Sequence, residues 1–247
     1  MNSKKEESEG DISLEEFFKK QLSPCFEETK RQRNLDELVG HCRYSNSLLD
    51  ILSKMSKEMP MGKLSNSFIY MRLFELIKQL TIWDLHICCG AYHNAIRDMR
   101  YSIEAILKAY YIDTRHPDSN LECKLEILKE IDYLHGNKLI KNIEIEFKDE
   151  MKEVYKELCQ YVHPSSTEFE ADFRKDKNKS SLIVDKWCSR ASFTFDEELF
   201  DGCMRLRRDI LTICVFVAMS CLNGEVPTKT LSKLVEEIGS GTLEVDV

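Results

Sequence analysis

The sequence predicts an all-α fold, a helical bundle with long antiparallel helices, and three observations carry that expectation. Breakers are scarce, with nine Gly and five Pro in 247 residues, which favours long helices over a turn-rich β fold. Hydrophobic residues make up 43% and charged residues 32%, the balance of a chain that buries a core. The stretch from Ser65 to Asp113 contains no proline and a single glycine, Gly90.

Taken in order, residues 1–12 read as a mobile tail. Ser13 to Leu22 reads as a short helix, with Ser13 as N-cap and Glu16 at the capping-box spacing, ended by Pro24. Glu27 to Met59 reads as one or two helices broken near Gly40, and Pro60 and Gly62 punctuate the chain after Met59. An unbroken helix from Ser65 to Asp113 would be roughly 70 Å long, too long for a compact domain of this size. A break is therefore expected near Cys88 to Gly90, giving two antiparallel helices. Arg115 to Asn120 is a loop around Pro117, and Leu121 to Leu134 is a helix stopped by Gly136.

Phe147 to Val162 carries Met151, Val154, Tyr155, Leu158 and Val162 at helical spacing, and Pro164 stops it. Ser165 to Ser181 is polar and reads as a loop. Leu182 to Phe195 leaves a small β-hairpin open near 182–195. Asp196 is placed to cap a helix to Leu222, with Asn223-Gly224 closing it and Thr228 to Ile238 as a last short helix. The whole reads as a single helical domain over 13–238 with a C-terminal tail at 239–247.

Composition also excludes. A net charge of -8 argues against a wholly basic nucleic-acid coat, while leaving room for a local basic patch. Met1 to Gly10 lacks the apolar run of a signal peptide. The longest apolar stretch, Ile210 to Leu222, falls short of the roughly 20 residues a membrane span needs, so a cytoplasmic protein with no membrane association is expected. Ten cysteines include no C-x-x-C pair, and without a secretory signal they read as buried, reduced thiols. No cofactor is indicated: there is no G-x-S-x-G, no phosphate-binding glycine loop, no H-E-x-x-H and no dinucleotide fingerprint.

The stretch Leu85 to Tyr110 holds the most local chemistry. One stripe reads Leu85, Cys89, Tyr92, Ile96, Met99, Ile103, Ile106, Tyr110, a core-facing seam. Beside it runs a polar stripe, His86, Gly90, His93, Arg97, Arg100, Glu104. A third stripe is small, Cys88, Ala91, Ala95, Asp98, Ser102, Ala105, Ala109, so the helix is expected to be enclosed on two sides. The polar stripe is either a solvated face, with Arg100 and Glu104 paired at i,i+4, or a groove whose arginines present planar forks to phosphate. His86 and His93 stand two turns apart, about 10 Å, too far to share one metal ion. The cluster Arg205, Arg207, Arg208 comes after Glu197, Glu198 and Asp201 and reads as a solvated face.

His163 stands at the end of its helix, before Pro164 and Ser165. The helix dipole favours its cationic form and its ordinary pKa lies near neutrality, so it suits acid–base chemistry on RNA. The structural alternative is a histidine that caps the last carbonyls.

The run Tyr155-Lys156-Glu157-Leu158-Cys159-Gln160-Tyr161-Val162-His163-Pro164-Ser165 resembles the Y-x-x-L-S-x-Y-V-H-P-S stretch of prokaryotic proteins in the HEPN (higher eukaryotes and prokaryotes nucleotide-binding) superfamily. The upstream helix Arg97 to Asp113 is similar as well, and the resemblance covers about residues 65–166 of a core at about 65–223. It implies an all-helical bundle, frequently dimeric. Many members are metal-independent RNases of toxin–antitoxin and antiviral systems, and others bind nucleotides or partners without catalysis. Active members carry Arg, four to six residues, then His. Here Lys156 stands seven residues before His163 in place of Arg, and lysine lacks the bidentate fork.

The resemblance implies two functions. The first is a non-catalytic binding or scaffold protein of a defence or toxin–antitoxin type system, with a protein partner, RNA or a second copy as candidate partners. The alternative is a metal-independent endoribonuclease using His163 as acid/base, with Arg97, Arg100 or Lys156 on phosphate. His93, Glu104, Tyr155, Tyr161 and Ser165 are then the substrate-contact candidates. In the enzyme these groups must converge on an open cleft.

Overall fold

The computed structural model describes residues 14–33, 49, 53, 57, 60–145, 147–162, 193 and 195–223. Of these, 83% are helical and none is in a strand, so the all-α expectation holds. The tails, the Ser13 cap, the break near Gly40, nearly all of the 182–195 hairpin and the Thr228–Ile238 helix lie outside the described residues.

The chain enters through α1 (Leu14–Phe17), a π-helical turn (Phe18–Leu22) and α2 (Ser23–Gln32). Pro24 does not end the first helix as expected; it opens α2. A proline ring collides with the carbonyl four residues back. That residue is Lys20, which lies in the wider π turn, where the usual spacing is relaxed.

After the short α3 (Met61–Leu64), Ser67 caps α4 (Phe68–Cys88), its Oγ accepting the Tyr70 N–H at 3.2 Å. The break falls where expected. Gly90 takes φ 77°, a left-handed conformation that glycine adopts without strain, and α5 (Tyr92–Arg115) returns antiparallel to α4. His86 Nδ1 meets Asp98 Oδ2 at 3.1 Å near the turn. At the far end Asp113 receives the N–H groups of Phe68 and Ile69 at 3.2 and 3.0 Å. Ser67 Oγ and Lys124 Nζ donate to the same carboxylate at 2.8 and 2.7 Å.

Lys124 belongs to α6 (Leu121–Glu130), capped by Asn120 through the Cys123 N–H. Two boundaries differ from expectation here. The helix stops at Glu130 rather than Leu134, and Gly136, φ 49°, opens the unforeseen α7 (Gly136–Asn142) instead of stopping α6. A glycine signals a left-handed residue, which serves at either end of a helix, so composition alone does not choose. Lys148 donates to the carbonyls of Lys141 and Ile143, both at 2.8 Å. The charge thereby closes the end of α7.

Next come α8 (Lys148–Val162) and α9 (Glu197–Asn223), the latter capped as expected by Asp196 Oδ1 on the Leu199 N–H at 3.0 Å. Helices α4, α8 and α9 pack around α5, whose apolar stripe from Tyr92 to Tyr110 is buried. One member of that stripe fails: Leu85 is 59% exposed. The turn at Gly90 resets the helical phase, so a stripe drawn through it cannot stay on one face. The small stripe is half-buried or buried throughout, matching enclosure on two sides.

Charge enters this core once more. Arg207 is 1% exposed and meets Asp84 across α4 and α9, Nε to Oδ1 at 2.6 Å, so the expected solvated face loses one member. Arg205 pairs with Glu157, and Arg208 is exposed. The eight described cysteines are free thiols, Cys123 alone among them exposed. Burial pushes Cys203 and Cys214 up to about 12. No described helix is long and apolar enough to cross a membrane.

Candidate functional site

Three sequence candidates meet where α8 crosses α5. Arg100 Nε donates to Tyr155 Oη at 3.1 Å and to Glu104 Oε1 at 3.2 Å, and the Tyr155 hydroxyl donates to Glu104 in turn. The result is a hydrogen-bonded triad of a cation, a hydroxyl and a carboxylate. The guanidinium also lies 5.6 Å from the centre of the Tyr155 ring, within the range of a cation–π contact. Helical spacing puts Arg100 and Glu104 on one face of α5. The Tyr155 ring is buried against that face while its hydroxyl reaches the charged pair.

Two further residues complete the seam, and sequence reasoning missed both. His135, just before α7, brings Nδ1 to 3.7 Å from Glu104 Oε2. Gly136 leaves room for the tyrosine: a Cβ there would collide with the Tyr155 hydroxyl and ring. The available signal was the adjacent His135-Gly136 pair, which reads locally as a helix stop.

Burial sets the electrostatics. It raises the Tyr155 pKa above the usual phenol value, and the hydrogen bond to Glu104 raises it further. The hydroxyl is therefore a proton donor held neutral, suited to positioning a carboxylate. For Arg100, burial works against the charge, and Tyr155 and Glu104 outweigh it, so the guanidinium pKa rises. The arrangement orients a carboxylate on a helical scaffold and leaves its Oε2 edge toward His135.

The other candidates do not join this seam. Arg97 and His93 are exposed on α5. Lys156 is exposed and sits 3.5 Å from Glu153 on its own helix. Tyr161 turns toward α9, its hydroxyl 3.9 Å from where a Gly202 Cβ would stand. Burial, then the Glu157 charge, raises its pKa. His163 and Ser165 lie outside the described residues. Among the described residues no group of three His, Cys, Asp or Glu is arranged to hold a metal ion.

A cleft of about 390 Å³ lies elsewhere, at the end of α5, lined by Tyr111, Arg115, Asn142 and Glu144 among others. Arg115 stacks on Tyr111 at 4.4 Å and donates to the Asn142 carbonyl at 3.2 Å. It closes the end of α7 alongside Lys148, a structural use of the cation. No family model matches the chain, and no curated protein or solved structure matches it either.

Proposed function

We propose that this chain is a HEPN-like helical protein that binds a partner without catalysis, a scaffold member of a defence or toxin–antitoxin type system. One observation carries the reading: the Arg100 guanidinium is engaged inside the fold, by Tyr155 and Glu104, in a triad with its own compensating charge. A phosphate-binding arginine in a cleaving site presents its fork outward. Lys156 beside Glu153 supplies a point charge without that fork. A net charge of -8 further disfavours a long phosphate backbone as the main ligand, because repulsion grows with each added phosphate.

The test is RNA cleavage by the purified full chain in EDTA, beside His163→Ala, with helical circular dichroism as the folding control. Wild type and variant are expected to be equally inert across structured and unstructured RNAs. Cleavage by the wild type that disappears in a folded His163→Ala variant overturns the proposal in favour of a metal-independent RNase.

A further inference from the structure

The cleft at the end of α5 holds two opposite charges that do not pair. Arg115 and Glu144 both line its volume of about 390 Å³, and among the described residues no ion pair joins them. Each is fixed by the fold. Arg115 stacks on Tyr111 at 4.4 Å and gives one N–H to the Asn142 carbonyl at 3.2 Å. Glu144 follows the buried Ile143, and its own carbonyl accepts the Tyr110 hydroxyl at 3.0 Å. Its backbone is therefore pinned while its side chain stays exposed. Both charges are left to water or to a ligand, and their supports are in place before anything binds.

The remaining hydrogen-bond capacity divides by sign. A guanidinium carries five N–H donors in a planar fork. One bond to Asn142 leaves an edge free for a bidentate carboxylate. The Thr114 hydroxyl spends its proton on the Tyr110 carbonyl at 2.7 Å, so its oxygen remains an acceptor. The Asn142 side chain donates its amide to the Lys138 carbonyl at 2.7 Å and keeps Oδ1 as an acceptor. With the Glu144 carboxylate these make three accepting groups, the number an ammonium can use. Helix α5 ends here as well, and the negative end of its dipole adds to the same preference.

These features narrow the ligand. Glu144 repels a polyphosphate, Arg115 repels a simple cation, and a mainly polar lining gives a purely apolar molecule no seat. A molecule that carries both charges a few ångströms apart satisfies every group at once. The volume lies at the small end of the range for small-molecule sites. We propose that this cleft binds a free α-amino acid, its carboxylate on Arg115 and its ammonium on Glu144 and Thr114. The site stands roughly two turns of α5 from Glu104. It adds a small-molecule ligand to the partner-binding reading without depending on it.

The test is equilibrium dialysis of the full chain against a mixture of the protein amino acids at about 1 mM each, with the retained ligand identified by mass spectrometry and its affinity measured by titration calorimetry. At least one amino acid is expected to be retained at about one per chain. Glu144→Gln, at an exposed side chain outside the core, is expected to weaken that binding about tenfold while the ligand-free melting temperature holds. The N-acetyl and carboxamide derivatives of the same amino acid, which remove one charge each, should lose about as much against the unaltered protein. No retention at this concentration overturns the proposal. So does retention that Glu144→Gln leaves unchanged, or derivatives that bind as well as the parent.

Discussion

Helix α5 carries two polar triads, one at Asp113 and one at Glu104, each with a cation and a hydroxyl. At Asp113 both carboxylate oxygens are used, by Ser67, Lys124 and two backbone N–H groups of α4. The Asp113 and Lys124 side chains are 5% and 3% exposed. At Glu104 the partners are Arg100 and Tyr155, the side chains of the ion pair remain about one-fifth exposed, and Oε2 faces His135 across 3.7 Å. A carboxylate enclosed on every side holds helices together. One left with an open edge is positioned and can still exchange partners. The difference teaches that charge within a helical bundle is assigned a role by its last unfilled hydrogen bond, more than by its residue type.

The largest effect expected from this contrast is at the closed triad. Asp113→Ala leaves Lys124 charged and enclosed and strips the first turn of α4 of its acceptor, at a cost of about 3–5 kcal/mol. Denaturant unfolding followed by circular dichroism measures it, and a loss below about 1 kcal/mol would break the comparison. The open triad should respond less. Tyr155→Phe removes one hydroxyl but leaves Arg100 and Glu104 paired, so about 1–2 kcal/mol is expected in the same assay. A cost equal to that of Asp113→Ala would erase the distinction.

The smallest expected effect is a slope. Tyr155 has its pKa raised in the folded state by burial and by Glu104, so above about pH 10, the ordinary phenol value, the unfolded chain releases a proton that the folded chain retains. Stability then falls with rising pH, by at most about 1.4 kcal/mol per unit from this group. The buried thiols at Cys203, Cys214 and Cys221, raised to about 12, act in the same direction from about pH 9 in wild type and variant alike. Tyr155→Phe should therefore show a shallower alkaline slope between pH 10 and 11, and parallel slopes would detach the tyrosine from the effect.

Much of this architecture is legible in the residues, and the failures share a cause. The α4–α5 break at Gly90, the α8 and α9 spans and the Asp196 cap arise from local rules that act within a few residues. Arg100 and Glu104 are legible as a pair for the same reason. What escaped was long in sequence. Arg207 lies buried because Asp84, on another helix, neutralises it. Tyr155 joins Arg100 because Gly136, on a third segment, makes room. Asp113 reads as the end of an amphipathic helix until the start of α4 is placed against it. Periodicity shows that a face is buried, and only packing shows what it is buried against.

The two fixed ends of α4 and α5 have a mechanical consequence. One end is tied by the tight Gly90 turn, with the Ala91 N–H on the His86 carbonyl at 2.7 Å. The other is tied by the Asp113 carboxylate, more than twenty residues away along each helix. A rod pair pinned at both ends can neither scissor nor slide. It serves as a chassis, and whatever shape change a binding event asks of this protein must be taken up by the elements bolted to it, among them α8, seated through buried Met151, Tyr155 and Leu158.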